Sequence, residues 1–406
     1  MKSSINTLAS RAATVSPLLF LSLCGSCLFP IPAAYAQGEP PQPPQQQQPQ
    51  SAPPAETPPA AEPPVTSSSP VPATSGLYPG STVRRFSAKD NFGFESNFDL
   101  RYRDSSREDN GVYLASGRLT ADWVRANPAN RDERGGVRLQ LLLETDSKGT
   151  VIESFRFSEA YAYYTFLSGG VSARARAGQF VLPFGLIAVY DTPLQPIQPL
   201  YAHALGLRVD TGLMLEGRWG PYQFAGSITT GAGPNRSDFD GNKTVSFRLG
   251  RSVQTPYGAL HVGGSLLTGR MPVTTFDTEL PPSGTSGARD FVDKTRFAVD
   301  GQFGYGRWLG RGELIFGADA EDEVFGYFVE ANYELADRVT LVGYSKRWDF
   351  PDKPQRFTSM GLGVNYQFGR GFVARGLFEY QREVPLSEQG NPFVTKRFTI
   401  QTQLTF

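Results

Sequence analysis

The feature that most constrains the fold is a two-residue alternation of apolar and polar side chains, which begins near Phe92 and continues to the end of the chain. It runs in segments of about ten to thirteen residues separated by turn-forming residues. In the first segment Phe94 and Phe98 share one parity, whereas Glu95 and Arg101 share the other. Successive side chains of a β-strand point to opposite faces, so each segment is predicted to be a strand with one apolar and one polar face.

Two of these segments break the alternation. Glu159 lies on the aromatic parity of the fourth segment, and the thirteenth, 338–350, changes its apolar parity partway. An extra residue in a strand shifts the parity of the residues after it, so we predict a β-bulge in both. The count is sixteen strands, at 92–104, 112–125, 136–145, 155–166, 170–180, 208–219, 222–230, 243–253, 258–269, 294–305, 307–318, 324–335, 338–350, 356–368, 371–383 and 395–406.

The connections alternate between tight turns, such as Gly220-Pro221, and longer polar links, such as 231–242 and 270–293. Tight turns at one rim and long loops at the other are typical of outer-membrane barrels, whose even strand number returns both ends to one side. The final strand closes on Phe406, like the signal read by the barrel assembly machinery. The sequence predicts an all-β fold over 81–406, a transmembrane antiparallel β-barrel of sixteen strands in contact with outer-membrane lipid. Periodicity alone leaves a soluble set of β-sandwiches open.

The first 80 residues differ from the rest. A basic start, an apolar run over 15–32 and small residues at Ala34 and Ala36 predict a signal peptide over 1–36. Residues 37–80 are dominated by Pro and Gln and predict a disordered periplasmic linker, which could also bind the cell wall. Export and the barrel pattern together predict the outer membrane of a Gram-negative bacterium.

Charge and composition exclude several classes of protein. There are 39 Lys and Arg against 39 Asp and Glu, without the basic excess of a nucleic-acid binder. Both cysteines lie within 1–36, which excludes a disulfide scaffold or a cysteine zinc site in the exported chain. Its two histidines, His203 and His261, have no acid or nucleophile tied to them by a known motif. We therefore expect no enzyme activity, cofactor or metal.

The stretch 177–186, AGQFVLPFGL, resembles the PFG-type motif of the phosphate-selective porin O/P-like family. The resemblance implies a homotrimer of sixteen-stranded porins whose third extracellular loop folds inward and narrows the channel. Here that loop, 181–207, is apolar and rich in proline, which favours burial in the lumen over an exposed apolar patch. It contains no Lys or Arg, and its charged or titratable groups are Asp191 and His203. The sequence therefore indicates a pore with a weak preference for anions and argues against a site that binds phosphate specifically.

The polar parity of the strands gives the predicted lining of the pore. Arg174 and Arg176, just before the inward loop, are the best candidates for contact with a solute. Arg248, Arg296 and Glu330 lie on the same polar parity. The arginine excess predicts an anion preference, although arginines and acids on neighbouring strands could also neutralise each other. The candidate selectivity residues are Arg174, Arg176, Arg208, Asp191, Arg101, Arg103, Arg118, Arg138, Arg156 and Arg218.

The sequence thus predicts a porin for passive diffusion of small hydrophilic solutes or anions. Two alternatives remain open at this point. One is an occluded barrel that tethers or organises the cell envelope, suggested by the Pro/Gln-rich linker. The other is an outer-membrane hydrolase that uses His203 or His261.

Overall fold

The structure is a computed structural model, and it describes residues 92–106, 110–126, 133–145, 152–168, 171–188, 190, 196–238, 241–273, 291–349, 356–369, 371–384 and 392–406. The predicted signal peptide and linker, 1–36 and 37–80, lie outside the described residues, as does Asp191.

Sixteen strands form one closed antiparallel barrel. Each strand pairs with its neighbours in sequence, and β1 closes the barrel on β16 through pairs such as Asn97 with Thr405. Every strand boundary lies within three residues of the predicted one, which confirms the sixteen-strand prediction. The strands are β1 Phe92–Ser105, β2 Gly111–Ala126, β3 Glu133–Thr145, β4 Ile152–Ser168, β5 Val171–Val181, β6 Val209–Trp219, β7 Tyr222–Thr229, β8 Thr244–Thr255, β9 Gly258–Pro272, β10 Phe291–Tyr305, β11 Trp308–Asp319, β12 Asp322–Ala336, β13 Val339–Asp349, β14 Arg356–Gly369, β15 Phe372–Val384 and β16 Phe393–Thr405.

The two rims of the barrel differ in their connections. One rim carries both ends of the barrel and tight turns, in which Gly220 and Gly306 take the positive φ angles of 56° and 54° that glycine tolerates without strain. The other rim carries the long connections, with one exception. The link from β11 to β12 is only Ala320-Glu321, and Ala320 adopts a φ of 52°. We call the first rim periplasmic and the second extracellular, the arrangement of outer-membrane barrels.

The alternation of side chains places apolar residues on the outer surface and polar residues on the lumen face. Leu362, Phe94 and Leu213 on the outer surface are 74%, 67% and 65% exposed. Aromatic residues concentrate near the periplasmic rim, where Trp308 lies 4.6 Å from Tyr333 between ring centroids, as expected for residues at a membrane interface. Among the described residues no helix is long and apolar enough to cross a membrane.

The structure confirms one predicted bulge and contradicts the other. Gln140 pairs with Glu159 and Leu141 with Phe157, so Ser158 is the extra residue of β4 and Glu159 returns to the lumen face. The bulge predicted in the thirteenth strand is wrong, because β13 pairs without interruption with β14. Its inward face is apolar for another reason, which is that it contacts the loop between β5 and β6.

Candidate functional site

We call the connection between β5 and β6, 182–208, the inner loop. Its described residues, 182–188, 190 and 196–208, fold into the lumen as predicted. Leu182, Phe184, Leu200 and Leu205 are at most 1% exposed. They belong to one apolar cluster with inward-facing residues of β9 to β15, and this apolar half of the lumen wall explains the composition of the loop. The wall residues are Leu267, Met271, Ala298, Ile315, Val324, Phe328, Val342, Tyr344, Trp348, Phe357 and Leu377.

The first polar anchor of the inner loop is the 3-10 turn Gly185–Ala188. The Gly185 amide donates to Ser265 Oγ at 2.9 Å and the Leu186 amide donates to Glu313 Oε1 at 2.7 Å. The Gly185 carbonyl accepts from Arg248 Nε at 3.2 Å, and Arg248 is held by an ion pair with Asp300. A turn in a lumen needs partners for its backbone groups, and three wall strands supply them here.

The second anchor is the short helix α1, Tyr201–Ala204. The last carbonyl groups of a helix have no partner within it. Two cations of β10 supply partners, because Arg296 Nε donates to the Ala204 carbonyl at 2.9 Å and Lys294 Nζ to the Leu205 carbonyl at 3.4 Å. Arg296 also forms an ion pair with Asp319 of β11. Both arginine and lysine are fully buried.

The third anchor is Tyr190, whose hydroxyl donates to Glu330 Oε2 at 2.8 Å. The guanidinium carbon of Arg311 lies 5.2 Å from the centroid of the Tyr190 ring, and Arg311 also pairs with Glu330 at 2.9 Å. Burial, and then the charge of Glu330, raises the pKa of Tyr190 well above its ordinary value. The side chain therefore stays a neutral donor, and it ties the middle of the inner loop to β11 and β12.

The opposite side of the lumen carries most of the predicted selectivity residues. β3 and β11 are eight strands apart in a ring of sixteen, so the arc centred on β3 faces the arc to which the inner loop is bound. Seven inward-facing arginines on β1 to β5, all buried or half-buried, form what we call the arginine wall. They are Arg101, Arg103, Arg118, Arg138, Arg156, Arg174 and Arg176.

Arg174 and Arg176 share one carboxylate. Arg176 forms an ion pair with Glu216 of β6, and Arg174 lies 3.9 Å from the same oxygen. The guanidinium carbon of Arg174 lies 4.5 Å from the centroid of Tyr163, and that of Arg176 lies 4.8 Å from the centroid of Tyr161. The tyrosine rings hold both guanidinium groups in place through cation–π contacts, and two positive charges face one negative charge.

Other members of the arginine wall contact acids on their own or neighbouring strands, as the alternative interpretation of this wall predicted. Arg101 pairs with Asp99 at 2.6 Å and Arg118 lies 3.5 Å from Glu95. Arg138 lies between two carboxylates, at 3.6 Å from Asp122 and 3.5 Å from Glu159, while Arg103 stacks 5.3 Å from the ring centroid of Tyr113. Arg101, Arg118, Arg138, Arg174 and Arg176 thus contact carboxylates, which partly neutralise the wall. These carboxylates are Glu95, Asp99, Asp122, Glu159 and Glu216.

Several residues that were predicted to line the pore lie outside the arginine wall. Arg248 and Arg296 lie on the lumen face, as their parity predicts, and there they bind the inner loop. Arg208, at the end of that loop, is fully buried, and its Nε and Nη2 have no hydrogen-bond partner in the described part of the chain. Arg218 is exposed near the periplasmic rim.

A cavity of about 560 Å³ lies against the inner loop. Tyr190, Pro196 and Ile197 line it from the loop, and Arg311 and Arg375 are among the residues that line it from the barrel wall. Because Gly258, Gly304 and Gly306 at the periplasmic rim also line it, this space opens toward the periplasmic side of the loop.

The sequence did not reveal the partners of the inner loop. Ser265, Lys294, Glu313 and Lys346 are ordinary polar positions in the alternation, yet each donates to or accepts from the loop, Lys346 Nζ through the Gln198 carbonyl at 3.2 Å. The sequence does contain one signal that indicates where the loop binds. Apolar residues on the inward parity of β9 to β15 mark a wall that must be covered from inside.

The histidines have structural neighbours. His203 of α1 stacks on Phe357 with ring centroids 4.4 Å apart, and His261 contacts Arg248 at 3.3 Å and Ser252 at 3.1 Å. Across the described residues, no group of three His, Cys, Asp or Glu side chains is arranged to hold a metal ion.

No family model and no curated protein sequence matches the chain. Solved structures do match. The anion-selective porin from Comamonas acidovorans has 10% identity and a TM-score of 0.56 over 78% of this chain and 99% of that one. The chain has the fold of an outer-membrane porin. The outer membrane channel DcaP of Acinetobacter baumannii has 12% identity and a TM-score of 0.53 over 79% and 99%. The trimer form of OmpT of Vibrio cholerae has 12% identity and a TM-score of 0.55 over 78% and 99%.

Proposed function

We propose that this protein is a porin of the Gram-negative outer membrane, through which small hydrophilic solutes diffuse passively. The observation that carries the proposal is the division of the lumen. The inner loop is bound to the arc of β9 to β15, and the arginine wall occupies the arc that faces it. A loop fixed to one side narrows a barrel and leaves a polar passage along the other. The neighbours described as porins and channels support this function.

The passage has a weak preference for anions. Among the residues that the structure describes, the arginine wall holds seven arginines and the five carboxylates named above, which is a modest excess of positive charge. Rings of one charge set the electrostatic barrier of a pore. The PFG motif resembles that of phosphate-selective porins, but residues 182–207 of the inner loop contain no Lys or Arg, and Arg208 at its end is fully buried. We therefore propose general anion preference, with no dedicated phosphate site.

The proposed partners follow from the same architecture. The apolar outer surface contacts outer-membrane lipid, and a homotrimer is supported by the trimer form among the structural neighbours. Phe406 supports recognition by the barrel assembly machinery, and in the folded barrel its amide and carbonyl bond to Ser96 at 2.9 and 3.1 Å. We propose no nucleic-acid partner.

We also propose that the chain is not an enzyme. The ring of His261 contacts Arg248 and Ser252, and neither of these is the carboxylate that would orient a general base. The occluded barrel with a tethering role is the competing proposal, and it is supported by the burial of the inner loop inside the barrel. The two proposals differ in conductance.

Reconstitution of the purified protein into planar lipid bilayers tests the proposal. We expect stable conductance steps in KCl and a reversal potential in a salt gradient that indicates a small excess of anion permeability. Complete absence of steps from protein with the heat-modifiable mobility of a folded barrel would contradict a porin and favour the occluded barrel.

A further inference from the structure

Four cations project from the outer surface of the barrel on four adjacent strands near the extracellular rim. Arg347 lies on β13, Arg356 on β14, Arg382 on β15 and Lys396 on β16. All four lie on the parity that faces away from the lumen, and all but Arg347 are exposed. We call these four residues the rim patch.

The strand register places the four side chains side by side. Arg347 and Arg382 are both paired with Thr358 of β14, one from each side. Arg356 is two residues from Thr358 on the same strand face, and Arg382 is paired with Val394, two residues from Lys396. Diagonal neighbours on one face of a sheet lie about 7–8 Å apart, which is close enough for one anionic group to contact two of these cations.

The positive charge of the rim patch is only partly neutralised. Arg347 and Arg356 share one carboxylate, because Asp349 accepts from Arg347 Nε at 2.9 Å and lies 3.4 Å from Arg356 Nε. Arg382 and Lys396 form no ion pair within the described part of the chain. Near the extracellular rim the flanking strands β1 and β12 carry the exposed acids Asp104 and Glu323. Asp104 is paired with Phe398, two residues from Lys396, and is therefore a diagonal neighbour of that lysine without an ion pair to it.

Other outward cations near this rim have acids beside them. Arg270 on β9 is directly paired with Asp293 on β10, and Lys243 forms an ion pair with Asp238. Among the outward-facing strand residues that the structure describes near this rim, the excess of exposed positive charge therefore lies on β13 to β16.

The depth of the rim patch identifies its environment. On the same outer face, toward the periplasm, lie the exposed apolar side chains Met360, Leu362, Phe378 and Phe398. The cations thus stand at the upper border of the apolar band, where lipid headgroups meet the protein. Guanidinium groups bind phosphate with paired, charge-assisted hydrogen bonds, and clusters of Lys and Arg at a membrane surface recognise anionic lipid.

We propose that the rim patch binds the phosphate groups of the phosphorylated glycolipid of the outer leaflet, lipid A. The proposal rests on the outer-membrane location given under Proposed function. Arg382 and Lys396 provide two exposed cations that form no ion pair with a described carboxylate. Arg356, two residues from Thr358 on the strand between β13 and β15, provides a third, whose charge is partly neutralised by Asp349 of β13. The acyl chains lie along the apolar surface below.

The test compares binding of bisphosphorylated lipid A with that of its dephosphorylated form, using the full chain in detergent and native mass spectrometry or thermal unfolding as readout. We expect the phosphorylated lipid alone to bind and to raise the midpoint of unfolding. The double variant Arg382→Gln/Lys396→Gln should bind roughly 30-fold more weakly, since each interfacial cation contributes about a factor of five. The matched control Arg251→Gln, an exposed outward arginine near the periplasmic rim, should bind like the wild type.

Equal binding by the double variant and the wild type, or equal binding of both lipids, would overturn the proposal. Conductance of the same samples separates this result from the channel function. If the protein shows conductance steps but the double variant binds lipid A as the wild type does, the lipid-binding proposal is rejected and the porin proposal stands. If the protein binds only the phosphorylated lipid but shows no conductance steps, the porin proposal is rejected and the lipid-binding proposal stands.

Discussion

The Glu313 carboxylate lies so close to Gly185 that a Cβ atom at residue 185 would be 1.8 Å from its Oε1. Gly185 also has a φ of 49°, which other residues rarely adopt. The glycine of the PFG motif is therefore required twice, by the backbone conformation of the 3-10 turn and by contact with the wall. This one residue connects a sequence motif to the position of the inner loop.

Gly185→Ala should loosen the inner loop without unfolding the barrel, because the new methyl group displaces Glu313 and weakens the bond to the Leu186 amide. We expect a larger and noisier single-channel conductance. The control is Gly220→Ala, which places alanine at a similar φ of 56° with no atom within 4 Å of the new Cβ. Equal effects of both substitutions would mean that backbone strain, and not the wall contact, determines the result.

Glu216 should control the charge that Arg174 and Arg176 present to the passage. Neutralising both arginines to Gln should lower the anion-to-cation permeability ratio, and Glu216→Gln should raise it. A unit charge about 10 Å from an ion in water changes the energy of an anion and of a cation by about 0.4 kcal/mol in opposite directions, which is about a factor of four in this ratio. The measurement is the reversal potential in a tenfold KCl gradient, with Arg251→Gln as the control for a charge outside the lumen. A shift of the same sign for both changes would contradict the assigned roles.

Leu200→Ala should detach the centre of the inner loop from the apolar wall. Truncation of a buried leucine costs about 2–5 kcal/mol, and Leu200 is fully buried beside Trp348. The three other tryptophans, Trp123, Trp219 and Trp308, face outward and can be replaced by Phe, which leaves Trp348 as the reporter. We expect a red shift of its fluorescence and loss of the loop at a lower urea concentration than barrel unfolding.

The control for this experiment is Leu213→Ala, a truncation on the lipid-facing surface, where the leucine is 65% exposed. It should leave the Trp348 emission unchanged. A red shift in the control would show that the reporter responds to general destabilisation of the barrel.

Phe406 should matter more for assembly than for the folded barrel. Its backbone closes β16 on β1 through Ser96, and its ring lies 6.5 Å from that of Phe98 in an edge-on contact. Phe406→Ser keeps the backbone bonds but removes the aromatic terminus. We expect several-fold less heat-modifiable barrel in isolated outer membranes, and recovery with Phe406→Trp. Normal yields from the serine variant would show that the terminal ring is not read during assembly.

The fold could be predicted because alternate side chains of each barrel strand face lipid and lumen, so the sequence alternates between apolar and polar residues with a period of two. The same rule predicted a bulge in the fourth strand from the parity of Glu159, and the structure places it at Ser158. It failed in β13, where Val342, Tyr344 and Trp348 are apolar on the lumen side. The parity of a residue predicts whether its side chain points to the lumen or to the outside. It does not predict which part of the protein the side chain will contact there.

The same limit explains the mixed outcome for the site residues. The arginine wall could be predicted, because Arg174 and Arg176 stand on clear polar parities beside the loop. The roles of Arg248 and Arg296 could not, because their partners in the inner loop are 63 and 92 residues away in sequence. Such contacts depend on where the loop lies in three dimensions, which local patterning does not contain.

The docking of the inner loop also has a consequence for the order of folding. The loop precedes every strand that holds it, and the contact between Leu186 and Glu313 spans 127 residues. Contacts of high sequence separation form late because the intervening chain must first lose its freedom. The apolar loop therefore stays uncovered until β8 to β15 are in place, and during that interval its apolar side chains are exposed to the periplasm, where a chaperone could cover them.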